Sequence, residues 1–267
     1  MTPSPATGNP TGRDDRPRHG WRKMAGLESL PTLQRDLSGR EGGAAAMAVP
    51  EALLAPPHGA WRAGLRPALK RAMDVAGALA LLVLLAPLLA VIALLVRADG
   101  GPALFAHRRV GRGGADFACL KFRSMVVDSQ ARLEALLASD PAARAEWEAT
   151  RKLRRDPRVT RVGRFLRATS LDELPQLINV LRGEMSLVGP RPVIRAELES
   201  LYGAAAAHYI SVRPGITGLW QVSGRSDTSY AQRVALDVAY VVRPSLWTDV
   251  KILLRTPLVV LARKGAC

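Results

Sequence analysis

The sequence contains only two cysteines, Cys119 and Cys267, which is too few for the disulfide framework of a small secreted protein. Histidine is equally scarce, with four in the chain. Neither a Cys/His cluster with metal-ligand spacing nor a Ser-His-Asp order is visible. A glycine-rich phosphate loop and a paired-glycine dinucleotide fingerprint are also missing. These absences argue against a Cys/His metal site, a triad hydrolase and a nucleotide-loop enzyme, and they favour a reducing compartment.

Aromatic residues make up only 5% of the chain, whereas the net charge is +15 and the pI is near 11.0. Nearly all of the positive surplus lies after residue 60. Such a surplus points to nucleic acid, an anionic membrane or phosphorylated substrates. Few aromatic side chains leave few stacking platforms for single-stranded nucleic acid, and no recognition-helix motif is present. A membrane-tethered nucleic-acid-binding protein, suggested by the charge and by the arginine-dense stretch 151–167, stays an alternative interpretation.

Residues 1–60 contain eight prolines and eight glycines and show no sustained apolar periodicity. This composition predicts a disordered N-terminal tail over 1–60. Its basic residues are not followed by the apolar stretch of a signal peptide, so a cleaved signal peptide is not expected. The organised part of the chain is therefore expected to begin after residue 60.

The segment 61–100 contains 22 consecutive uncharged residues, Val75–Val96. As a straight helix this run would be about 33 Å long, enough to cross a hydrocarbon core of about 30 Å. Pro87 interrupts the run, and both of its flanks are basic, which favours the cytoplasmic side for each. We therefore predict a re-entrant membrane helix-break-helix that dips into the bilayer and returns. A straight crossing and a buried soluble helix are the alternatives.

The remainder, 101–267, is predicted to be a cytoplasmic catalytic domain. Two strand-like stretches flank the glycine-rich 111–114, which indicates a β-hairpin. Residues 129–150 read as helical with a joint at Pro141. The stretch 245–264 is typical of a helix lying in a membrane interface, although a core-facing helix fits it equally well. The predicted fold class is α+β and helix-rich, membrane-anchored by the proline-broken re-entrant helix, with a small β-hairpin and interfacial amphipathic helices.

The stretch "TSLDELPQL" places two adjacent carboxylates, Asp172 and Glu173, between Ser170 and Pro175. Ser170 and Glu173 fit a capping box at the start of a helix that would end at Gly183. Adjacent helical side chains diverge by about 100°, so the two carboxylates suit divided duties rather than one acid-base pair. One can attack phosphorus as a nucleophile while the other holds Mg²⁺ or receives a proton. The stretch is therefore both a predicted helix start and a candidate site for phosphate chemistry.

Six ordered motifs carry a resemblance to a known family. In chain order they are "KRAMD", "HRRVG", "LKFRSM", "LRATSLDELPQLINVLRGEMSLVGPRP", "VRPGITGLWQVSGR" and "LDVAYV", all within residues 70–242. Together they resemble the bacterial monotopic phosphoglycosyl transferases, the initiating sugar-phosphate transferases of polysaccharide assembly. The stretches "AEWEATRKLRRDPRV" and "HYISVRPG" are similar to the exopolysaccharide galactosyl-phosphate transferases in particular. The resemblance leaves out the first sixty-odd residues.

The resemblance implies a two-step transfer of a sugar phosphate. A nucleophile, which the motif match assigns to Asp172, attacks the β-phosphate of a UDP-sugar and releases UMP. The covalent phosphosugar then passes to undecaprenyl phosphate, which begins an exopolysaccharide repeat unit. The family pattern makes Glu173 the partner of Asp172, with Mg²⁺ bound near the pair. The implied location is the bacterial inner membrane, with the catalytic domain on the cytoplasmic face. The implied partners are UDP-sugar, undecaprenyl phosphate, membrane lipid and other polysaccharide-assembly glycosyltransferases, but no nucleic acid.

The family pattern also implies residues that bind the substrate. Those assigned to phosphate or nucleotide binding are Lys121, Arg123, Arg167, Arg191, Gln221 and Arg225. For the last two, an ordinary turn-and-anchor role is an open alternative. One departure concerns the membrane helix, because the family often has Ser before its central proline and this chain has Ala86. The resemblance leans toward galactose rather than glucose, although no motif reads the hydroxyl that distinguishes them.

Overall fold

The computed structural model describes residues 65–150, 153–223 and 228–261, so the tail predicted to be disordered, 1–60, lies outside the described residues. The helices are α1 (Leu65–Arg97), α2 (Ser129–Ser139), α3 (Pro141–Thr150), α4 (Arg161–Thr169), α5 (Gln176–Arg182), α6 (Arg195–Glu197), α7 (Ala206–Ser211), α8 (Leu219–Ser223), α9 (Tyr230–Val242) and α10 (Leu246–Leu261). The strands are β1 (Leu104–Val110), β2 (Asp116–Phe122), β3 (Ser186–Val188) and β4 (Gly215–Thr217). The described part is helix-rich with two small sheets, which confirms the coarse fold class.

Strands β1 and β2 form the predicted antiparallel hairpin, with Leu104 opposite Phe122 at its open end. Gly113 and Gly114 in the connection have φ values of 74° and 81°, which glycine adopts without the steric penalty of a side chain. The predicted joint in the following helical segment is also confirmed, because α2 ends and α3 begins around Pro141.

Helix α1 has 33 residues and continues through Pro87, so the predicted helix break at this proline is not confirmed. The helix is long and apolar enough to cross a membrane by length and composition, with a mean hydropathy of 3.2 over its apolar window. Its middle is exposed, since Val83 and Leu84 retain 69% and 73% of their accessible surface. Its two ends, in contrast, both pack against the rest of the described chain.

A buried polar network holds the N-terminal end of α1. Lys70 donates to Asp74 one turn later at 2.9 Å and to Ser186 on β3 at 2.6 Å. Its Nζ also lies 3.5 Å from Asp249 on α10, which accepts from Tyr240 at 2.8 Å. These contacts join α1 to three elements that are distant in sequence.

Two arginines bind the carbonyl end of α5. Arg71 on α1 donates to the carbonyls of Val180 and Leu181 at 2.6 and 3.0 Å, and Arg213 donates to that of Gly183 at 2.6 Å. The last carbonyls of a helix have no partner within it, and cations stabilise the negative end of its dipole. Arg71 thereby fixes α1 against the helix that follows the carboxylate pair.

The C-terminal end of α1 packs into a separate apolar cluster. Ile92 and Val96 are 4% and 6% exposed and contact Phe122 of β2 and Leu166 of α4. The two ends of the apolar helix therefore contact one and the same body, which also contains the carboxylate pair.

The short strands β3 and β4 pair in parallel, with Ser186 opposite Gly215. A Cβ on Gly215 would lie 2.1 Å from the backbone nitrogen of Gly189, so glycine permits the close approach of the two backbones. This sheet was not predicted, because strands of three residues carry too little alternation to be recognised. It lies in the main apolar core, beside Met185 and Leu187.

Helix α10 has the core face that one of its two alternatives required, and its position in a membrane interface stays a prediction. Ile252 is 1% exposed and belongs to the main core. Trp247, Leu254 and Leu258 are 64%, 70% and 67% exposed on the remaining surface of the helix. One face of α10 is therefore a core face, and another presents large apolar side chains to the surroundings.

Candidate active site

The chain changes direction around the carboxylate pair. Helix α4 ends at Thr169, and Ser170 takes a left-handed conformation with φ of 56°. Leu171–Glu173 then form a 3₁₀ turn, and α5 begins after Pro175. Ser170 makes no side-chain cap hydrogen bond, so the predicted capping box is wrong. The reason is its backbone, because an N-cap residue is extended and a left-handed one ends the preceding helix. The predicted helix end at Gly183 is confirmed.

The 3₁₀ turn brings both carboxylates to one lysine. Asp172 is 9% exposed. Lys121 of β2 donates to Oε1 of Glu173 at 2.7 Å, and its Nζ lies 3.8 Å from Oδ2 of Asp172. One ammonium group therefore faces two carboxylates, and it is shared unequally between them.

The pKa values of the two carboxylates move in opposite directions. Burial raises the pKa of Asp172 to about 6 from an ordinary 3.8; the charge of Glu173 adds to the rise, while Lys121 and Arg167 oppose it. Burial also acts to raise the pKa of Glu173, but the charges of Lys121 and Arg191 and the hydrogen bond from Lys121 outweigh it and lower the pKa. The pair is thus divided into a desolvated, more basic carboxylate and a firmly ionised one, as suits divided duties.

Arg167 is brought to the pair by the packing of α4 on the end of β2. Its Nε donates to Oγ of Ser124 at 2.8 Å, and its charge lowers the pKa of Asp172. A Cβ on Gly163 would lie 2.0 Å from the carbonyl oxygen of Ser124, so the close packing requires glycine at this position. The charge of Arg167 therefore acts on Asp172, and the binding of phosphate that the family pattern implies for Arg167 stays a prediction.

Asn179 on α5 connects this helix to β2. Its Oδ1 accepts from the amide of Leu120 at 3.0 Å, and its Nδ2 donates to the carbonyl of Ala118 at 2.8 Å and to Glu184 at 2.7 Å. The side chain is fully buried. Helix α5 is thereby aligned with β2, which fixes Lys121 opposite the carboxylates. Sequence reasoning missed this role, because it depends on two elements about sixty residues apart.

Two further arginines contribute charge at Glu173. Arg191 lowers the pKa of Glu173, and its guanidinium centre lies 5.4 Å from the ring centroid of Trp220. Arg109 of β1 also lowers the pKa of Glu173, and burial lowers the pKa of Arg109 itself. Arg191 was predicted. Arg109 was not singled out, although it lies in the quoted motif "HRRVG".

Arg123 does not join the carboxylates. It donates to the carbonyls of Pro102, Met125 and Val96 at 2.8, 3.0 and 2.8 Å and forms an ion pair with Asp99 through both terminal nitrogens. These bonds occupy all five N–H donors of its guanidinium group. Arg123 therefore closes the C-terminal end of α1 onto β2, which corrects the expectation that it binds phosphate.

Of the two residues expected to bind the nucleotide, Gln221 is described by the structure and Arg225 is not. Gln221 lies on α8, where its Nε2 donates weakly to the carbonyl of Ile216 at 3.4 Å and its buried Oε1 has no partner among the described residues. Gln221 thus anchors its own loop through Ile216, as its alternative role requires, and its Oε1 stays an unused hydrogen-bond acceptor among the described residues. Arg225 lies outside the described residues.

Asp172 and Glu173 are the residues that would hold Mg²⁺. Among the described residues there is no group of three or more His, Cys, Asp or Glu side chains placed to bind a metal. Mg²⁺ does not need such a group, since it keeps several waters and binds one or two carboxylates together with substrate phosphates. The donor set therefore fits Mg²⁺ that arrives with a phosphorylated substrate, and not a permanently caged metal.

The model of the bacterial sugar transferase family matches residues 65–263 of this chain, three quarters of its length. The chain belongs to this family. Its described part thus shows a membrane-compatible helix and a carboxylate pair set among cations, within a family of sugar transferases.

Individual members of the family share more than half of their aligned residues with this chain. The chain is 58% identical over 198 residues to the UDP-galactose-lipid carrier transferase of Erwinia amylovora and 54% identical over 198 residues to the undecaprenyl-phosphate galactose phosphotransferase of Salmonella typhimurium. Each match covers 74% of this chain and 41% of the relative, so the chain spans about two fifths of their length. It is also 54% identical over 196 residues to the exopolysaccharide production protein ExoY of Rhizobium meliloti, where the match covers 73% of this chain and 86% of the relative.

Proposed function

We propose that this protein transfers a sugar 1-phosphate from a UDP-sugar to undecaprenyl phosphate as the first step of exopolysaccharide repeat-unit assembly. The observation that carries the proposal is the buried Asp172, more basic than an ordinary carboxylate, beside the ionised Glu173 and the cations Lys121 and Arg167. The names of the relatives support these substrates, and those of the Erwinia and Salmonella proteins favour galactose. The Caulobacter vibrioides relative, 46% identical over 196 residues, is named for glucose 1-phosphate transfer.

The first step is a displacement at phosphorus. A carboxylate oxygen of Asp172 bonds to the β-phosphorus while the bond from that phosphorus to the bridging oxygen breaks, and UMP leaves with the bonding electrons. In the second step a phosphate oxygen of undecaprenyl phosphate attacks the same phosphorus and releases Asp172 as a free carboxylate. The product is an undecaprenyl diphosphate sugar, which a following glycosyltransferase of the assembly would extend.

The surroundings of Asp172 suit a nucleophile. A desolvated carboxylate has lost part of its water shell and is more basic than an exposed one. Lys121 and Arg167 offset its charge and donate to phosphate oxygens, whose negative charge would otherwise repel it. Glu173 keeps Lys121 in place through the 2.7 Å hydrogen bond. Mg²⁺ bound with the substrate would neutralise phosphate charge as the UMP oxygen leaves.

We further propose that α1 enters the cytoplasmic face of the bacterial inner membrane and returns to it. Support comes from the two ends of α1, since Lys70 and Val96 both contact the body that carries the carboxylates. A straight crossing would place parts of one body on opposite sides of the bilayer. The exposed apolar side chains of α10 provide a second contact with lipid.

The nucleic-acid alternative gains no support from the described residues. Within the arginine-dense stretch, Arg158 is 8% exposed and pairs with Asp156 at 2.7 Å, and Arg167 is engaged with Ser124. These side chains serve packing and the carboxylate site. Arg154, Arg155, Arg161 and Arg164 of the same stretch are exposed, and the relatives described above are sugar transferases and not nucleic-acid-binding proteins.

The covalent step can be tested by intact-mass measurement of the full chain in detergent. Incubation with UDP-galactose or UDP-glucose in the absence of undecaprenyl phosphate should add the mass of one hexose phosphate and release one UMP per chain. Asp172→Asn should abolish both the adduct and the UMP, whereas Arg164→Lys, at an exposed position of α4, should abolish neither. UMP release by Asp172→Asn at the wild-type rate would show that the reaction does not proceed through this residue.

A further inference from the structure

Arg233 on α9 is a buried cation without an identified ligand. It is 9% exposed, and its guanidinium centre lies 4.9 Å from the ring centroid of Trp220 and 4.9 Å from that of Tyr230. The two rings stabilise the charge through their faces. They do not satisfy its hydrogen bonds, because Nε and Nη2 have no hydrogen-bond partner in the described part of the chain.

The two unsatisfied nitrogens form one functional edge. The N–H bonds of Nε and Nη2 run parallel, and this pair matches two oxygens of a phosphate or carboxylate group. Burying such donors unpaired is destabilising, and folded proteins leave few of them, each of which calls for an explanation. A bound oxyanion would satisfy both nitrogens at once.

No protein carboxylate takes that place among the described residues. Asp237 lies one turn further along α9, but its Oδ2 accepts from the hydroxyl of Tyr202 at 2.9 Å and no ion pair joins it to Arg233. Burial raises the pKa of Asp237 to about 7, against the effect of Arg233, so its charge is incomplete at neutral pH. The positive charge of Arg233 is therefore not fully balanced by its surroundings.

Other unsatisfied groups lie in the same part of the chain. Tyr230 Oη, Gln221 Oε1 and Ser223 Oγ are buried without a hydrogen-bond partner among the described residues. Tyr230 is in direct contact with Arg233, and Gln221 follows Trp220 on α8. Arg233 and Tyr230, which are in contact, both keep unsatisfied polar atoms, which indicates a polar ligand and not a single misplaced side chain.

Trp220 connects this locality to the carboxylate pair. Arg191 lies 5.4 Å from the Trp220 centroid, and its charge lowers the pKa of Glu173. Arg233 shares the same indole ring. Two guanidinium groups that share one ring are no further apart than the length of a nucleoside diphosphate. One nucleoside diphosphate is therefore long enough to contact both Arg191 and Arg233.

We propose that the Nε–Nη2 edge of Arg233, held between Trp220 and Tyr230, binds the phosphate of the leaving uridine nucleotide, with Arg191 between it and the carboxylates. The inference rests on the proposed function, which supplies a UDP-sugar as donor, and it adds the position of the nucleotide phosphate. UMP is the matching probe, because it carries this phosphate and does not react with the free enzyme.

The test is the affinity of the full chain in detergent for UMP and for uridine, measured by isothermal titration calorimetry. Arg233→Lys keeps the charge and the ring contacts but lacks the parallel donors. We expect it to weaken UMP binding by at least tenfold (~1.4 kcal/mol) and to leave uridine binding unchanged. The matched control, Arg164→Lys on α4, should bind both as the wild type does. Equal affinity of Arg233→Lys and wild type for UMP, or an equal loss for uridine, would overturn the subsite.

A second variant separates binding from structural support. Arg233→Met removes the unsatisfied donors and keeps contact with both rings, so its Tm without ligand should equal or exceed that of the wild type. The rise in Tm that UMP causes in the wild type should be absent. A retained rise would contradict the assignment. If the wild type itself bound neither UMP nor UDP, both the proposed function and the subsite would be contradicted. If the wild type bound UMP and Arg233→Lys bound it equally well, only the subsite would be contradicted.

Discussion

The raised pKa of Asp172 predicts how the stability of the fold depends on pH, independently of catalysis. Burial raises the pKa of Asp172 from 3.8 to about 6, so the folded protein holds this proton more tightly than the unfolded chain. Below the ordinary value both states are protonated, and the group has no effect. Between the two values the folded state loses stability as pH rises, and above about 6 the loss is complete. A shift of about two units corresponds to about 3 kcal/mol.

Asp172→Asn removes this destabilising ionisation. At pH 7.5 the variant should be more stable than the wild type by up to about 3 kcal/mol, which is a rise in Tm of roughly 6–12 °C for a domain of this size. The measurement is thermal unfolding in detergent, followed by intrinsic fluorescence from pH 4 to pH 8. The difference in Tm between variant and wild type should increase from pH 4 to pH 6 and stay constant above pH 7.

The neighbouring carboxylate provides the matched control. Because the pKa of Glu173 is lowered, its ionisation stabilises the fold above its ordinary value of 4.5, and this contribution is lost as pH falls. Glu173→Gln should therefore be less stable than the wild type at pH 7.5, the opposite sign from Asp172→Asn. A Tm of Asp172→Asn at or below that of the wild type, or a difference independent of pH, would refute the reasoning from burial.

Three further outcomes are expected. Formation of the hexose-phosphate adduct, followed by intact mass at subsaturating UDP-sugar, should increase as pH rises through about 6 because Asp172 must be ionised to attack; a rate that is flat from pH 5 to pH 8 would contradict this. Lys70→Met should lower the free energy of unfolding by about 3–5 kcal/mol, since it leaves the carboxylates of Asp74 and Asp249 buried without their cation, whereas the control Lys251→Met on α10 should change it little. Asn179→Leu should lower Tm and also slow adduct formation, because the amide of Leu120 and the carbonyl of Ala118 lose their partner and Lys121 loses its alignment; a variant with a lowered Tm but adduct formation at the wild-type rate would argue against this positioning role.

The local elements that were predicted correctly are those whose signal lies within a few residues. The hairpin around 111–114, the joint at Pro141 and the helix end at Gly183 follow from glycine and proline, whose backbone preferences act without help from the rest of the chain. The capping box at Ser170 failed for a related reason. Its letters fit a cap, but the preceding helix α4 continues to Thr169 and uses Ser170 as its own left-handed end.

The candidate site was predictable in part. Ordered motifs marked the carboxylates and several basic residues. The motif that contains Lys121 and Arg123 did not show that these two side chains contact different parts of the structure. Lys121 lies within β2 and reaches Glu173, whereas Arg123 follows the strand and is fully engaged at the end of α1. Arg109 and Asn179 were missed because their roles depend on β1, β2 and α5 coming together, and that is a matter of packing.

By itself the sequence determined the family, the apolar helix, the basic charge and the identity of the paired carboxylates, because each of these is carried by composition or by neighbouring residues. Only the tertiary structure decided which cation faces which carboxylate, which of the two is buried, and that both ends of α1 attach to one body. Distances between segments far apart in the chain set those properties, since desolvation and Coulomb interactions depend on position in space.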